Sequence, residues 1–236
     1  MSDFDPLGSK PVALEARQVQ TDGRRFSPSV ARNRTAIADV LSDLMPHAGS
    51  ILEIASGTGE HGAYFIEQMP KLRWTYSDID PSSLASQTSW RATTNSARLQ
   101  GPHRIDTRDP SWGDDIECQS WDGLYCANMI HIAPLAAVTG LFAGASRLLA
   151  PEGQLFLYGP FARNGALVPS NAAFDKSLKQ RDAEWGVRDL ERFLVPLAQR
   201  VGLTLTDVVE MPANNLSVVF KKSTRKSRLR VQGLAL

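Results

Sequence analysis

Apolar positions along this chain fall into two alternating spacings. Ile37, Val40, Leu41, Leu44 and Met45 recur at helical intervals, which predicts an amphipathic helix over 31–46. Ser50 to Ala55 reads as a short strand, and Glu60 to Met69 as a helix stopped by Pro70. Leu72 to Ser77 predicts a second strand. Pro81 to Ala92 predicts a helix whose proline fits the first turn, where a missing N–H costs nothing. Residues 102–106 give a short third strand and Trp121 to Ala127 a fourth, mostly apolar one. Helical spacing returns from Pro134 to Leu149, ended by Pro151-Glu152-Gly153, and Gln154 to Tyr158 is a fifth strand.

Beyond Tyr158 the pattern changes. Residues 159–187 are rich in Gly, Pro, Asn and charge, with one helix expected over Asn171 to Arg181. A helix over Arg188 to Val201 follows, kinked at Pro196 and closed by Gly202. Leu203–Glu210 and Leu216–Lys221 then read as strands. The joint Met211-Pro212-Ala213-Asn214-Asn215 is too short for a parallel crossover, so these strands are expected to be antiparallel neighbours. The alternation predicts an α/β class, with a doubly wound, seven-stranded, mostly parallel sheet and one antiparallel strand near the C-terminus.

The chain has 236 residues and a formal net charge of +1, which suits one domain with no bias toward nucleic acid or anionic membrane. We expect a flexible segment over 1–22, a domain over 23–222, and a solvated basic tail over 223–236 carrying Arg225, Lys226, Arg228 and Arg230. No apolar run approaches the ~18 residues of a membrane span, and the N-terminus lacks a secretion pattern, so a cytoplasmic protein is expected. Cys118 and Cys126 then read as reduced thiols, and the scattered His and Cys give no metal site. Nothing in the sequence sets an oligomeric state.

Candidate chemistry concentrates after the first core strand. Gly57, Gly59 and Gly62 spell G-x-G-x-x-G at a strand-to-helix turn, where backbone N–H groups and a helix N-terminus meet a nucleotide. Glu53 is an acid inside an apolar strand. A buried carboxylate needs hydrogen bonds, which the turn's own N–H groups or a ligand ammonium would supply. The run Glu53-x-Ala55-x-Gly57-x-Gly59 resembles the methyltransferase motif E/D-x-G-x-G-x-G, with Ala55 in place of the usual first glycine. That resemblance and the closing antiparallel pair favour S-adenosyl-L-methionine over NAD as cofactor.

The second strand ends at Ser77-Asp78-Ile79-Asp80-Pro81, where an acid meets ribose hydroxyls in either nucleotide fold. Asp78 is assigned to the ribose with Ile79 beside it, and Asp80 to the cap of the next helix. In the methyltransferase class an Asp after the third strand accepts from the adenine amino group. Here Asp106 is the candidate, Asp109 the fallback, and a plain loop carboxylate the other reading. At the end of the fourth strand, Asn128 and Met129 are expected by the methionine end of the cofactor, or in packing. His61 is the second candidate for a base, though its place at the cofactor helix suits packing or the cofactor's carboxylate end. His131 is the first candidate for a base, with a structural histidine as the alternative.

Several stretches are more specific. Arg25-Phe26-Ser27-Pro28-Ser29-Val30-Ala31-Arg32-Asn33, Tyr158-Gly159-Pro160-Phe161, Ser170-Asn171-Ala172-Ala173-Phe174-Asp175, Trp185-Gly186-Val187-Arg188-Asp189-Leu190 and Met211-Pro212-Ala213-Asn214-Asn215 together resemble the methyltransferase-like protein 26 family and its bacterial relatives, over about residues 24–222. The resemblance implies a Rossmann-like fold and S-adenosylmethionine-dependent methyl transfer, with no acceptor named. Tyr158, Asn171, Trp185, Arg188, Asn214 and Asn215 fall at the carboxyl ends of strands. They either converge on a substrate pocket or cap helices and knit the long loop. A small-molecule acceptor is expected. A cofactor-binding module without turnover, or an NAD-linked oxidoreductase, is the competing expectation.

Overall fold

A computed structural model describes residues 16–116 and 120–223. The expected lead-in before residue 16, Cys118 and the basic residues of the tail lie outside them.

The described residues open with a hairpin of β1 (Gln18–Val19) and β2 (Arg25–Phe26), a pairing not expected from the sequence. It is anchored by contacts distant in sequence: Arg25 N–H donates to Ser86 Oγ at 2.9 Å, and Trp90 Nε1–H to the Arg25 carbonyl at 3.1 Å. α1 (Pro28–Leu44), β3 (Gly49–Ile54), α2 (Glu60–Gln68), β4 (Leu72–Asp78), α3 (Pro81–Thr94) and β5 (Leu99–Arg104) follow in strict alternation. β6 (Trp121–Ala127), α4 (Leu135–Leu148) and β7 (Leu149–Gly159) continue it. α5 (Pro169–Arg181), α6 (Val195–Arg200), β8 (Leu203–Met211) and β9 (Asn215–Lys222) complete the described residues.

Seven strands form one sheet in the order β5-β4-β3-β6-β7-β9-β8. β9 runs antiparallel to both its neighbours, while β5, β4, β3, β6 and β7 are mutually parallel. The strand order reverses between β3 and β6, and ligands of open α/β sheets bind outside the carboxyl ends at that reversal.

Both faces of the sheet are covered. One buries Leu124, Leu155, Leu157, Val218 and Phe220 against Leu141 and Phe142 of α4 and Ala198 of α6. The other buries Trp74, Tyr76, Tyr125, Phe156 and Val219 against Ile37 and Leu41 of α1 and Phe65 of α2. Burying each large side chain contributes roughly 1.5–3 kcal/mol.

Three expectations are corrected. The third strand covers Leu99–Arg104 rather than 102–106, and Pro102 lies inside it. β5 is an edge strand, so a missing N–H leaves no neighbouring strand unpaired. The helix expected from Arg188 starts at Leu190, with Asp189 capping it through Arg192 N–H. It is interrupted next to Pro196, as expected, but by a change of helix type. A π-helical turn over Leu190–Leu194, with Leu194 N–H donating five residues back to Asp189 O at 3.1 Å, delivers Pro196 into the first turn of α6. The break at Pro151–Gly153 is a register shift within β7, not a gap before it.

Gly62 has a packing role. A Cβ there would lie 2.5 Å from Tyr76 Cε1 and 2.6 Å from Trp74 Nε1 and Cδ1. Both aromatics are fully buried on β4, so α2 approaches the sheet only where no side chain intervenes. In a helix, alanine is ordinarily better than glycine by about 1 kcal/mol. Gly62→Ala is instead expected to destabilise by about 1–3 kcal/mol through overpacking, seen as a lower urea midpoint. An unchanged or raised midpoint would remove the assignment.

Candidate cofactor and substrate site

The turn from β3 into α2 bends through left-handed backbone at Ala55 (φ 56°), Gly57 (φ 58°) and Gly59 (φ 90°). Glycine takes this conformation freely, whereas alanine pays about 1–2 kcal/mol for it. Ala55 therefore holds the geometry of the glycine it replaces at some cost in strain.

Asp78 at the end of β4 reaches across to this turn. Its Oδ2 accepts from Gly57 N–H at 2.8 Å and its Oδ1 from Asp80 N–H at 2.9 Å. The residue is only 7% exposed, and burial pushes its pKa up to about 6 against the downward pull of those two N–H groups and of Arg17. A carboxylate offers about four lone-pair positions, so two remain for a pair of ribose hydroxyls. The residues present fit an adenosyl cofactor at this point. Asp80 caps α3, accepting from Ser82 N–H at 3.4 Å and Ser83 N–H at 3.0 Å. Ile79 is half-buried between them.

Glu53 does something other than expected. Its carboxyl accepts from the Trp74 indole N–H at 2.7 Å and bonds the Ser56 side chain of the turn, while the turn's backbone N–H groups go to other partners. Trp74 stands opposite Ile51 in the β3–β4 register, so its long ring reaches the next same-face residue diagonally. Burial raises the Glu53 pKa to about 8, which keeps the group protonated near neutrality.

β6 leads into a second cluster. Asn128 is left-handed (φ 58°), and its N–H donates to Tyr158 O at 2.8 Å, tying the exits of β6 and β7 together. A Cβ on Gly159 would lie 3.3 Å from His131 Cε1 and 3.5 Å from Asn128 Oδ1, so those two side chains flank the last residue of β7. His131 is 2% exposed, packs edge-on to Phe174 at 5.5 Å, and has no partner for Nδ1. Burial and then Arg188 push its pKa down to about 3, so the imidazole is neutral. Arg188 donates to the carbonyls of Ile130, Ala133 and Glu184, and Gly186 N–H donates to His131 O at 3.0 Å. Residues 184–188 thereby fix the loop that carries His131.

The other expected site residues divide. Asn171 Nδ2 donates to Asn214 O at 3.0 Å and Asn214 Nδ2 to Ser170 Oγ at 2.9 Å, which knits α5 to the β8–β9 turn. Trp185 is half-buried in a turn closed by its N–H on Asp182 O at 3.1 Å. Asp106 receives both Nε and Nη2 of Arg108, which hold its carboxyl below the usual carboxylate range. Met129 is half-buried against the α4 face of the core. His61 is turned away from the glycine turn: Nε2 lies 2.9 Å from Asn33 Oδ1, and the ring stacks on Phe65 at 5.3 Å. Its place is in helix packing. Tyr158 lies against Asn33 and Asn215, whose side chains ease its pKa down while burial raises it. Asn33 was not singled out from the sequence. Its signal was there, because it ends the polar stretch that begins at Arg25.

Among the described residues, no group of three or more His, Cys, Asp or Glu is placed to share a metal ion, and no helix is long and apolar enough to cross a membrane.

Solved structures share this architecture. An O-methyltransferase family protein from Burkholderia thailandensis superposes with a TM-score of 0.69 at 15% identity, over 83% of this chain and 57% of its own. An O-methyltransferase family 2 protein from Planctomyces limnophilus, in complex with apigenin, gives 0.66 at 18%, over 82% and 60%. CalO1, a methyltransferase of calicheamicin biosynthesis in its S-adenosylhomocysteine-bound form, gives 0.66 at 16%, over 83% and 54%. This chain thus spans little more than half the length of each, and the likeness is one of Rossmann-like fold. In sequence, residues 24–222 match the family described as "Protein of unknown function (DUF938)", and the chain belongs to that family.

Proposed function

We propose that this chain binds S-adenosyl-L-methionine where β3 and β4 end and transfers its methyl group to a small-molecule acceptor. The observation that carries the reading is the clasp between Asp78 and Gly57 N–H, an acid gripping a left-handed glycine turn at the exit of β3, one of the two strands between which the sheet order reverses. The fold neighbours support it, since three are named as methyltransferases and one carries S-adenosylhomocysteine. The long stretches quoted above support a relation to the methyltransferase-like protein 26 family.

When bound, the cofactor supplies an electrophilic methyl carbon on sulfur. The chain's own residues do the positioning. Asp78 holds the ribose and Ile79 packs beside it, while Asp106 would reach the adenine amino group by giving up part of the Arg108 contacts that now occupy both its oxygens. Asn128 and Met129 face the methionine end. His131 accepts a hydrogen bond from the acceptor. Being neutral, it is free to do so, but the Arg188 charge and its burial disfavour a lasting imidazolium. Its role is therefore alignment more than proton storage. The near-neutral charge and the cytoplasmic setting belong to this same reading.

Calorimetry against S-adenosylhomocysteine and NADH tests the cofactor, with binding of the first alone expected. Methyl-labelled cofactor incubated with cell metabolites tests turnover. NADH binding without S-adenosylhomocysteine binding would refute the proposal. Cofactor binding with no transfer in any extract would favour a silent binding module.

A further inference from the structure

On the α1 side of the sheet, near its carboxyl edge, polar side chains gather on three adjacent strands. Tyr125 of β6 stands in register with Phe156 of β7, and their rings stack at 5.6 Å. Tyr158 is two residues further along β7, on the same face, and directly opposite Ser217 of β9. Asn215 is two residues from Ser217, at the mouth. Asn33 of α1 closes the group: it bonds His61, whose ring stands edge-on to Tyr125 at 5.9 Å, and it lies with Asn215 against the Tyr158 phenol.

Two hydroxyls of this set, Tyr125 Oη and Ser217 Oγ, are buried with no hydrogen-bond partner, and both residues are 0% exposed. An unpaired buried polar group costs roughly 1–3 kcal/mol, which phenylalanine and alanine would avoid in a plain core. The amides have defined directions. A neutral His61 donates Nε2–H to Asn33 Oδ1, leaving Asn33 Nδ2 as a donor. Asn215 Nδ2 donates to Pro212 O at 3.1 Å, leaving its Oδ1 as an acceptor. The group itself carries no charge. Nearby, Arg34 lies over the Tyr64 ring, Arg32 is exposed, and Glu53 is held on Trp74. Asn128 N–H on Tyr158 O joins this cluster to the cofactor side of the sheet.

We infer that Asn33, Tyr125, Tyr158, Asn215 and Ser217 form the polar subsite for the methyl acceptor, and that it selects uncharged small molecules bearing hydroxyl or carbonyl groups. The inference rests on the methyltransferase reading above. It predicts an acceptor without a carboxylate, phosphate or ammonium group, because the five groups are neutral and the nearest charged or ionisable side chains are engaged elsewhere, Arg34 over the Tyr64 ring and Glu53 on Trp74.

Ion exchange separates cell metabolites into neutral, anionic and cationic pools, and each is incubated with the full chain and methyl-labelled S-adenosylmethionine. Label is expected in the neutral pool. Tyr125→Phe and Ser217→Ala are expected to cut transfer from a dilute neutral pool by about five- to tenfold, with S-adenosylhomocysteine affinity unchanged and thermal midpoints equal or higher. Transfer confined to a charged pool, or wild-type transfer by both variants, overturns the subsite and leaves the methyltransferase reading standing. No label in any pool removes that reading and the subsite with it.

Discussion

Asp78→Ala is expected to weaken S-adenosylhomocysteine binding by about 1–3 kcal/mol, roughly 5- to 150-fold, in titration calorimetry. Two effects act in the same direction. The ribose loses its acceptor, and Gly57 N–H loses the partner that fixes the turn at 2.8 Å. The wild type should also show a pH signature. Burial pushes the Asp78 pKa up to about 6, and protonation converts one acceptor oxygen into a donor. Affinity should therefore fall as pH drops through that value, and an Asp78→Asn variant should lose this dependence. Affinity that stays flat between about pH 5 and 8, together with an unaltered Asp78→Ala, would exclude Asp78 from the cofactor site.

Glu53→Gln is expected to stabilise the protein at alkaline pH and to do little in mild acid. Folding raises the Glu53 pKa from its usual 4.5 to about 8, chiefly by burial. An acid raised in this way favours the folded state only while protonated. Its contribution is whole below 4.5 and is lost as pH climbs through about 8, at roughly 1.4 kcal/mol per pH unit. Glutamine can still accept from Trp74 Nε1–H and never ionises. Urea midpoints of variant and wild type should nearly coincide near about pH 5 and diverge by several kcal/mol near about pH 9. Parallel curves would mean that Glu53 is already ionised in the fold. Because Glu53 faces Trp74, cofactor affinity should survive the change.

These expectations show where the sequence was readable. Period and punctuation were enough for β3, β4 and β6, because strands such as β3 are buried on both faces and mostly apolar, whereas the polar edge strand β5 was placed three residues late. Asp78 and Gly57 were legible for a related reason: a nucleotide turn needs its glycines and acid at fixed offsets along one local stretch. Glu53 was found but its Trp74 partner was not, since that indole comes from the next strand and depends on register. The hairpin of β1 and β2 was invisible, its strands being two residues each and held by α3 far along the chain. Asn33, Tyr125 and Ser217 were missed as a group, because their meeting is made by the order β6-β7-β9 and by α1 lying across it. The interruption at Pro196 was legible, but the π-helical turn that precedes it was not, since a five-residue-back bond leaves no mark in the apolar spacing.

The position of β9 also bears on how the protein is made. This strand is the last of the sheet in sequence, yet it lies between β7 and β8. While the chain emerges from the ribosome, the outer edge of β7 over Gln154–Gly159 has no neighbour until residues 215–222 arrive. β8 cannot dock in their stead without occupying the wrong slot. The nascent protein thus passes through a stage with an open, apolar strand edge, the kind of surface that invites chaperones or self-association. Assembly of the Tyr158 side of the sheet therefore waits on residues 215–222.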